Sequence, residues 1–463
     1  METGEERYER AIGILMDSLK FGIHPSLDGI CALMELLGDP QTKYPAIQVA
    51  GTNGKTSTVR QIAGLLRAHG YRTGLYSSPH LVEYPERIEI DGKVVSHEQY
   101  ADAVLRAKDA ADHLEKQGIT ITEFELGTAA AFQIFAEENV DVAVLECGMG
   151  GRWDTTSIAT SGIGVVTGIG LDHIGILGNT VEEIAFEKAG VIKPGRKVVL
   201  GPGTQSTLRV FLDRCEEVDV EPWLVRSRLD IADCIDDMEA AKPTVDGSPL
   251  AGTVLYDAGY AGNEATIDVD VEGCFESYGD IIMEAPLYQA QNISTAIAAA
   301  ELYMGHPLDP EKVRHVMAHF AIPGRFETLI EEPALIIDAA HNPQSALNLA
   351  TAIAHRFPKG DFQLLLAVLA DKDADGIIEV LAGFTPDIAV TQTSSHRALS
   401  RFELADKVEA KTGTRPEIFD TPAAALDELL ARQVNVIASG SITLAGEVKA
   451  AWLERQRKGK SLL

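Results

Sequence analysis

Seven consecutive residues, Gly51-Thr52-Asn53-Gly54-Lys55-Thr56-Ser57, have the composition of a polyphosphate cradle. Glycines let backbone N–H groups turn toward one anion, and a helix starting directly afterwards adds positive partial charge. Lys55 can reach terminal phosphates, and the hydroxyl of Thr56 or Ser57 can reach a divalent cation. The spacing departs from the strict Gly-x-x-x-x-Gly-Lys-Ser/Thr rule, because Val49 stands where the first glycine belongs. An ordinary glycine-rich turn is the plain alternative.

A polyphosphate site also needs metal ligands, expected at the carboxyl ends of neighbouring parallel strands. Ser78, Glu146 and His173 each follow or end an apolar run. Oxygen ligands suit Mg2+, and a histidine among them admits Mn2+. Singly, each has a plainer role: Ser78 before Pro79 as a turn, Glu146 as a loop charge, His173 as a loop histidine. Lys188, near the end of a short helical pattern, reads on its own as a cation complementing a helix C-terminus.

The elements that must position these residues alternate strand with helix. Ala46–Ala50 reads as a strand leading into the loop. A helix follows with Val59, Ile62, Ala63, Leu65 and Leu66 on one face and Gly70 as its C-terminal stop. Residues 141–145 and 163–167 read as buried strands, and Asn179-Thr180 caps a helix through Lys188. Residues 221–283 look strand-rich and are expected to form a small subsheet. Breaks at Gly305–Pro310 and Ile322–Gly324 suggest a boundary. Further strands are expected at 334–337, 362–366, 387–390 and 435–438, alternating with helices as a second doubly wound domain. The expected class is therefore α/β, with an ATPase-like domain over 1–304, a linker over 305–325 and a Rossmann-like domain over 305–463. No Gly-x-Gly-x-x-Gly follows a strand, so a dinucleotide site lacks support.

At 463 residues two or three domains are expected. The formal charge of −29 disfavours nucleic acid and anionic lipid as partners, and no apolar run is long enough to span a bilayer. Five scattered cysteines without a Cys-x-x-Cys pair argue against a disulfide framework and point to a reducing cytoplasm. The acidic stretch from Arg214 to Glu239 reads as a solvated surface insertion.

The motifs as an ordered set resemble the folylpolyglutamate synthase/dihydrofolate synthase family of the Mur ligase superfamily. The phosphate loop, Tyr76–Leu81, Tyr84–Ile88, Leu145–Asp154, Leu171–His173, Glu187–Gly190, Tyr288–Asn292, Pro323–Phe326 and Asp338–Pro343 carry the resemblance. It implies an N-terminal P-loop ATPase domain of Mur-ligase type and a C-terminal Rossmann-like domain. It further implies ATP bound by Gly51–Ser57 with Asn292, Arg325, Asp338 and His341. Metal would be held by Thr56, Ser78, Glu146 and His173. Lys188 corresponds to a carbamylated lysine, and Phe124, Glu125, Arg152, Trp153 and Asp154 to the pterin-substrate region. The implied catalytic group is Lys55, Glu146, His173 and Lys188. The implied activity is addition of L-glutamate to dihydropteroate or a reduced folate by a cytoplasmic, monomeric ligase. Two departures stand out: Thr56 where the family often has glycine, and Ser157 in place of an asparagine. Another Mur-type ligase acting on muramoyl peptides, a P-loop kinase and a non-catalytic nucleotide-binding module are the alternatives.

Overall fold

The computed structural model describes residues 2–22, 25–230, 235, 243–261, 266–385 and 387–459. The expected acidic insertion lies partly outside them; its start, Arg214–Glu217, ends the helix Leu208–Glu217. Two compact units divide the chain. The first comprises Met1–Gly259, Asp268–Met283 and Gln289–Phe320; the second comprises Tyr260–Ile267, Glu284–Tyr288 and Ala321–Leu463.

The first unit is built on strands β1 (Ala46–Ala50), β2 (Thr73–Tyr76), β3 (Ile88–Ile90), β4 (Lys93–Val94), β5 (Val142–Glu146), β6 (Ser161–Gly168), β7 (Lys197–Gly203) and β8 (Pro222–Ser227). A short hairpin follows, β9 (Thr244–Val245) with β10 (Ser248–Pro249), and then β11 (Gly252–Tyr260), β12 (Thr266–Glu272) and β13 (Ser277–Glu284). Among the described residues the main sheet runs β13-β12-β11-β8-β7-β6-β1-β5-β2-β3-β4. The strands of 221–283 expected as a subsheet thus extend the main sheet, apart from the β9–β10 hairpin. β11 pairs in parallel with β8, from Gly252 against Trp223 to Tyr256 against Ser227. Sequence alternation sets which face a side chain takes; it does not name the neighbouring strand.

β1 lies between β5 and β6, parallel to both, with Val49 opposite Glu146 and Ala50 opposite Val166. β2 runs parallel to β5, with Tyr76 opposite Leu145. All four strands therefore finish at one edge, where the phosphate loop, Ser77-Ser78, Cys147 and the loop after Gly168 emerge together. Every residue of β1 and β5 is buried, which explains why both are apolar apart from Gln48 and the terminal Glu146. The helix Lys55–Ala68 crosses from β1 to β2, burying Val59, Ile62, Ala63, Leu65 and Leu66 as expected, and Gly70 follows at φ 92°. Helix Gln289–Met304 packs against it. Helix Pro310–Ala318 belongs to the first unit as well.

In the second unit β14 (Glu327–Glu331) pairs antiparallel with β15 (Ala334–Ile337). β16 (Gln363–Leu366), β17 (Ile388–Val390), β18 (Glu417–Ile418) and β19 (Val436–Ser439) complete the order β14-β15-β19-β16-β17-β18. The chain passes from β15 to β16 and returns to place β19 between them. Doubly wound sheets bind ligands beyond the strand ends at such a reversal. No described helix is long and apolar enough to cross a membrane.

Candidate active site

The phosphate loop is shaped by contacts that only glycine permits. Gly51 stands at φ 153° and Gly54 at φ 84°. A Cβ on Gly51 would overlap Thr167 Oγ1, and one on Gly54 would come within 2.5 Å of Asn292 Oδ1. The loop is tied to the end of β6: Thr52 N–H donates to Gly168 O (2.7 Å), Thr52 Oγ1 to Gly170 O (3.1 Å) and Thr167 Oγ1 to Asn53 O (2.7 Å). Helix Lys55–Ala68 then starts without a side-chain cap. Its first N–H groups and dipole are therefore directed at the space before the loop, as an anion requires.

Two lysines hold the loop's carbonyls. Lys55 Nζ donates to Thr52 O (3.1 Å), and Lys188 Nζ donates to Gly51 O (2.8 Å). Lys188 ends the helix Val181–Lys188, whose N-cap is Thr180, and is only 3% exposed. Burial, reinforced by the charge on Lys55, pushes its amine down to about 7. A lysine complementing a helix terminus stays solvated; this one is sealed under the phosphate loop.

Glu146, 2% exposed, closes β5 beside the loop. Thr56 Oγ1 donates to Glu146 Oε1 (3.0 Å), and Ser78 N–H lies 3.4 Å from Oε2. His173 sits after β6 at φ 52°, its N–H bonded to Asp172 Oδ1 (2.8 Å) and its Nε2 3.8 Å from Asp172 Oδ2. Among the described residues no three His, Cys, Asp or Glu side chains converge as a metal cage. One carboxylate with neighbouring hydroxyls is instead the donor set of Mg2+ shared with substrate phosphates. The departure at Thr56 thus places a hydroxyl directly on the carboxylate.

The residues of the expected pterin region occupy the helix Glu123–Glu137 and the loop after β5. The Phe124 ring packs where a Cβ on Gly148 would lie. Glu125 Oε2 accepts from Thr122 N–H and Oγ1 (both 2.8 Å), so this carboxylate also closes the helix's capping box. Arg152 pairs with Glu187 (3.1 Å) and lies 4.8 Å over the Phe186 ring. Trp153 packs partly buried against the core beneath helix Val181–Lys188. Asp154 is 2% exposed and accepts from Met149 N–H (2.9 Å) and Thr156 N–H (3.0 Å), folding the loop onto itself.

Asn292, from helix Gln289–Met304, abuts Gly54 and donates to Gln289 Oε1 (2.8 Å); Gln289 Nε2 lies 3.4 Å from Ser57 Oγ. In the second unit Asp338 follows β15, accepting from Phe326 N–H and Ala340 N–H (each 2.8 Å). Burial pushes its carboxyl up, against the pull of Arg325 and those N–H groups. His341 Nδ1 lies 2.8 Å from Ala339 O, and Arg325 donates to Gly324 O (3.2 Å).

The sequence assigns no role to Thr167, Gln289 or the pair Arg87–Glu123, although Arg87 and Gln289 fall inside two of the motifs named above. Thr167 and Gln289 carry a positional signal, the end of a parallel strand and the start of a helix three residues before Asn292. Arg87 is 8% exposed, donates to Glu123 Oε1 and His80 Nδ1 (each 3.0 Å), and joins the Tyr76–Leu81 loop to helix Glu123–Glu137. Burial and the Arg87 charge push His80 down to about 3.

The family model "Mur ligase middle domain" matches residues 49–200, and "Mur ligase, glutamate ligase domain" matches 324–442. A dihydrofolate synthase/folylpolyglutamate synthase of Mycobacterium tuberculosis is 35% identical, covering 92% of this chain and 90% of the relative. Its counterpart from Bacillus subtilis is 32% identical, covering 96% and 98%. Among solved structures, Mycobacterium tuberculosis folylpolyglutamate synthase complexed with ADP and AMPPCP superposes with a TM-score of 0.85 at 32% identity, over 97% of this chain and 99% of that one.

Proposed function

The chain belongs to the dihydrofolate synthase/folylpolyglutamate synthase family of Mur ligases, and from that premise we propose that it joins L-glutamate to the carboxylate of dihydropteroate or a reduced folate at the cost of ATP. The observation that carries this reading is the strand-end cradle, where the uncapped phosphate loop, Lys55, and the Thr56–Glu146 pair (3.0 Å) meet.

A carboxylate does not condense with an amine in water without activation. The γ-phosphoryl group of ATP passes to the acceptor carboxylate, giving an acyl phosphate and ADP. The glutamate amine attacks that carbonyl carbon, inorganic phosphate leaves and a proton is released. Helix N–H groups and Lys55 hold the phosphates and stabilise charge on the transferring group. Thr56, Ser78, Glu146 and His173 are the residues that would hold Mg2+, which when bound neutralises phosphate charge. Asn292 fixes Gly54 from the side, and Arg325, Asp338 and His341 are taken as further nucleotide-binding residues. Phe124, Glu125, Arg152, Trp153 and Asp154 border the acceptor.

Lys188 is the carbamylated residue in this proposal. Its depressed amine has a large neutral fraction near neutral pH. That amine adds carbon dioxide and releases a proton, exchanging a buried cation for an anion beside Lys55. The carbamate N–H keeps a donor for Gly51 O. We further take the enzyme to act as a cytoplasmic monomer; the described cysteines, Cys31, Cys147, Cys215 and Cys274, are all free thiols.

The test offers ATP, magnesium and glutamate with dihydropteroate or tetrahydrofolate separately. Products heavier by one or more glutamyl residues are expected, and the productive acceptor assigns the activity. ATP consumption without glutamate, yielding a stable phosphorylated product, would favour a kinase, and no addition to either acceptor would overturn the assignment.

A further inference from the structure

Behind the phosphate loop, in a core otherwise lined by apolar side chains, lies a polar chain that none of the assigned residues explains. Gln48 is fully buried on β1, three residues before Gly51. Its Oε1 accepts from Arg196 (3.0 Å), which also donates to Val191 O (3.1 Å). Its Nε2 lies 2.7 Å from Ser157 Oγ, 3.0 Å from Thr156 Oγ1 and 3.4 Å from Cys147 Sγ. Ser157 Oγ donates onward to Gly151 O (2.5 Å), and Lys193 Nζ to Ser157 O (2.5 Å). Thr156 Oγ1 donates to Asp154 Oδ1 (2.5 Å), and Asp154 Oδ2 accepts from Met149 N–H (2.9 Å).

The loop after β5 is thus gripped at Met149, Gly151, Asp154, Thr156 and Ser157, and the grip ends on one amide. That amide sits on a strand whose backbone is hydrogen-bonded on both sides. Such a strand is a rigid reference, and the loop is the movable partner. A primary amide suits the position because it offers an acceptor to Arg196 and donors to the loop at once. Without those partners its buried donors and acceptor would be left unpaired, so its presence in the core requires the whole network. The Ser157 hydroxyl serves both ends, accepting from Gln48 and donating to Gly151 O.

We propose that Gln48 is a positioning residue for the acceptor substrate, fixing the Gly148–Asp154 loop relative to the phosphate loop through Ser157 and Thr156. The proposal rests on the acceptor reading given above. Its consequence is selective: loosening the loop weakens acceptor binding and leaves ATP binding in place, because the phosphate loop keeps its own ties to Thr167, Gly168 and Gly170.

Three variants of the full chain test it. Gln48→Met is near-isosteric and removes both ends of the contact. Gln48→Glu keeps an acceptor for Arg196 and loses the donors to the loop. Ser157→Ala removes the shorter of the two hydroxyl contacts to the loop and leaves the one to Thr156. In each, KM for the productive acceptor is expected to rise about tenfold or more, with KM for ATP within about twofold of the parent. Gln48→Met combined with Ser157→Ala is expected to be no worse than the poorer single variant, since both cut one path. If Gln48→Glu restores parent kinetics, Arg196 alone needs the amide and the role is structural; the inference fails. It fails likewise if the acceptor and ATP constants move together, or if melting temperature falls with both KM values unchanged. A parent enzyme that glutamylates neither acceptor defeats the functional reading instead, so the two failures are distinguishable.

Discussion

The two doubly wound sheets treat the polar residues at their strand ends in opposite ways. At the end of β1 in the first unit, a lysine amine is held buried against its preference, and a helix begins without a side-chain cap. At the end of β15 in the second, Asp338 is satisfied by two backbone N–H groups and Asn342 caps the following helix with a full capping box. In both places burial disfavours the charged form, but Lys188 has a single carbonyl partner where Asp338 has two backbone donors. The two strand ends therefore differ in how firmly backbone groups hold their buried charge, and that difference sets how far function and stability can be separated at each.

The largest effect expected from this contrast is at Lys55. Lys55→Ala should lower kcat about 10³-fold, with the melting temperature essentially unchanged, measured by phosphate release and calorimetry. A comparable loss of stability would erase the contrast.

Lys188 should set activity against stability. Its folded value of about 7 lies below the ordinary 10.5. Between those values the unfolded chain binds more protons, so this group's contribution to stability rises with pH from about 7 to about 10.5, and its full burial cost is present below 7. Lys188→Met should stabilise the protein at pH 6 by up to several kcal/mol, roughly, flatten that pH dependence and abolish bicarbonate-dependent turnover. Denaturant titrations at pH 6 and 9 check the sign, and destabilisation at pH 6 would show the lysine to be a structural anchor.

In the second unit stability and function should fall together. Asp338→Ala strands two N–H groups and should cost about 2–4 kcal/mol, read from the denaturation midpoint along with turnover. Unchanged stability with lost turnover would move this strand end into the same class as the first. The smallest effect is at Asn342→Ala, about 1 kcal/mol from the lost cap on helix Pro343–Arg356, with kcat within about twofold.

Much of this was legible in the sequence because local chemistry dictated it. Ala46–Ala50 could only be a buried strand, and the glycines after it sit at positive φ as the cradle demands. The burial of Lys188 was not legible: a helix-terminal lysine looks alike whether it meets water or the underside of a loop 137 residues away. Nothing local marks Gln48 within the strand Ala46–Ala50, because its partners come from two distant segments, 147–157 and Arg196. The strands after Glu221 showed their alternation, yet their membership of the main sheet depended on register with β8, a long-range fact.

That extended sheet sets the distance between its margin and the cradle. β11 lies four places from β1 in the strand order, roughly 19 Å away at one strand spacing per step. β12 and the edge strand β13 lie further out still, and β6, β7 and β8 stand between all three and the cradle. The middle of the sheet carries the chemistry, and a change of length or charge at its margin has several strands to cross before it reaches the phosphate loop.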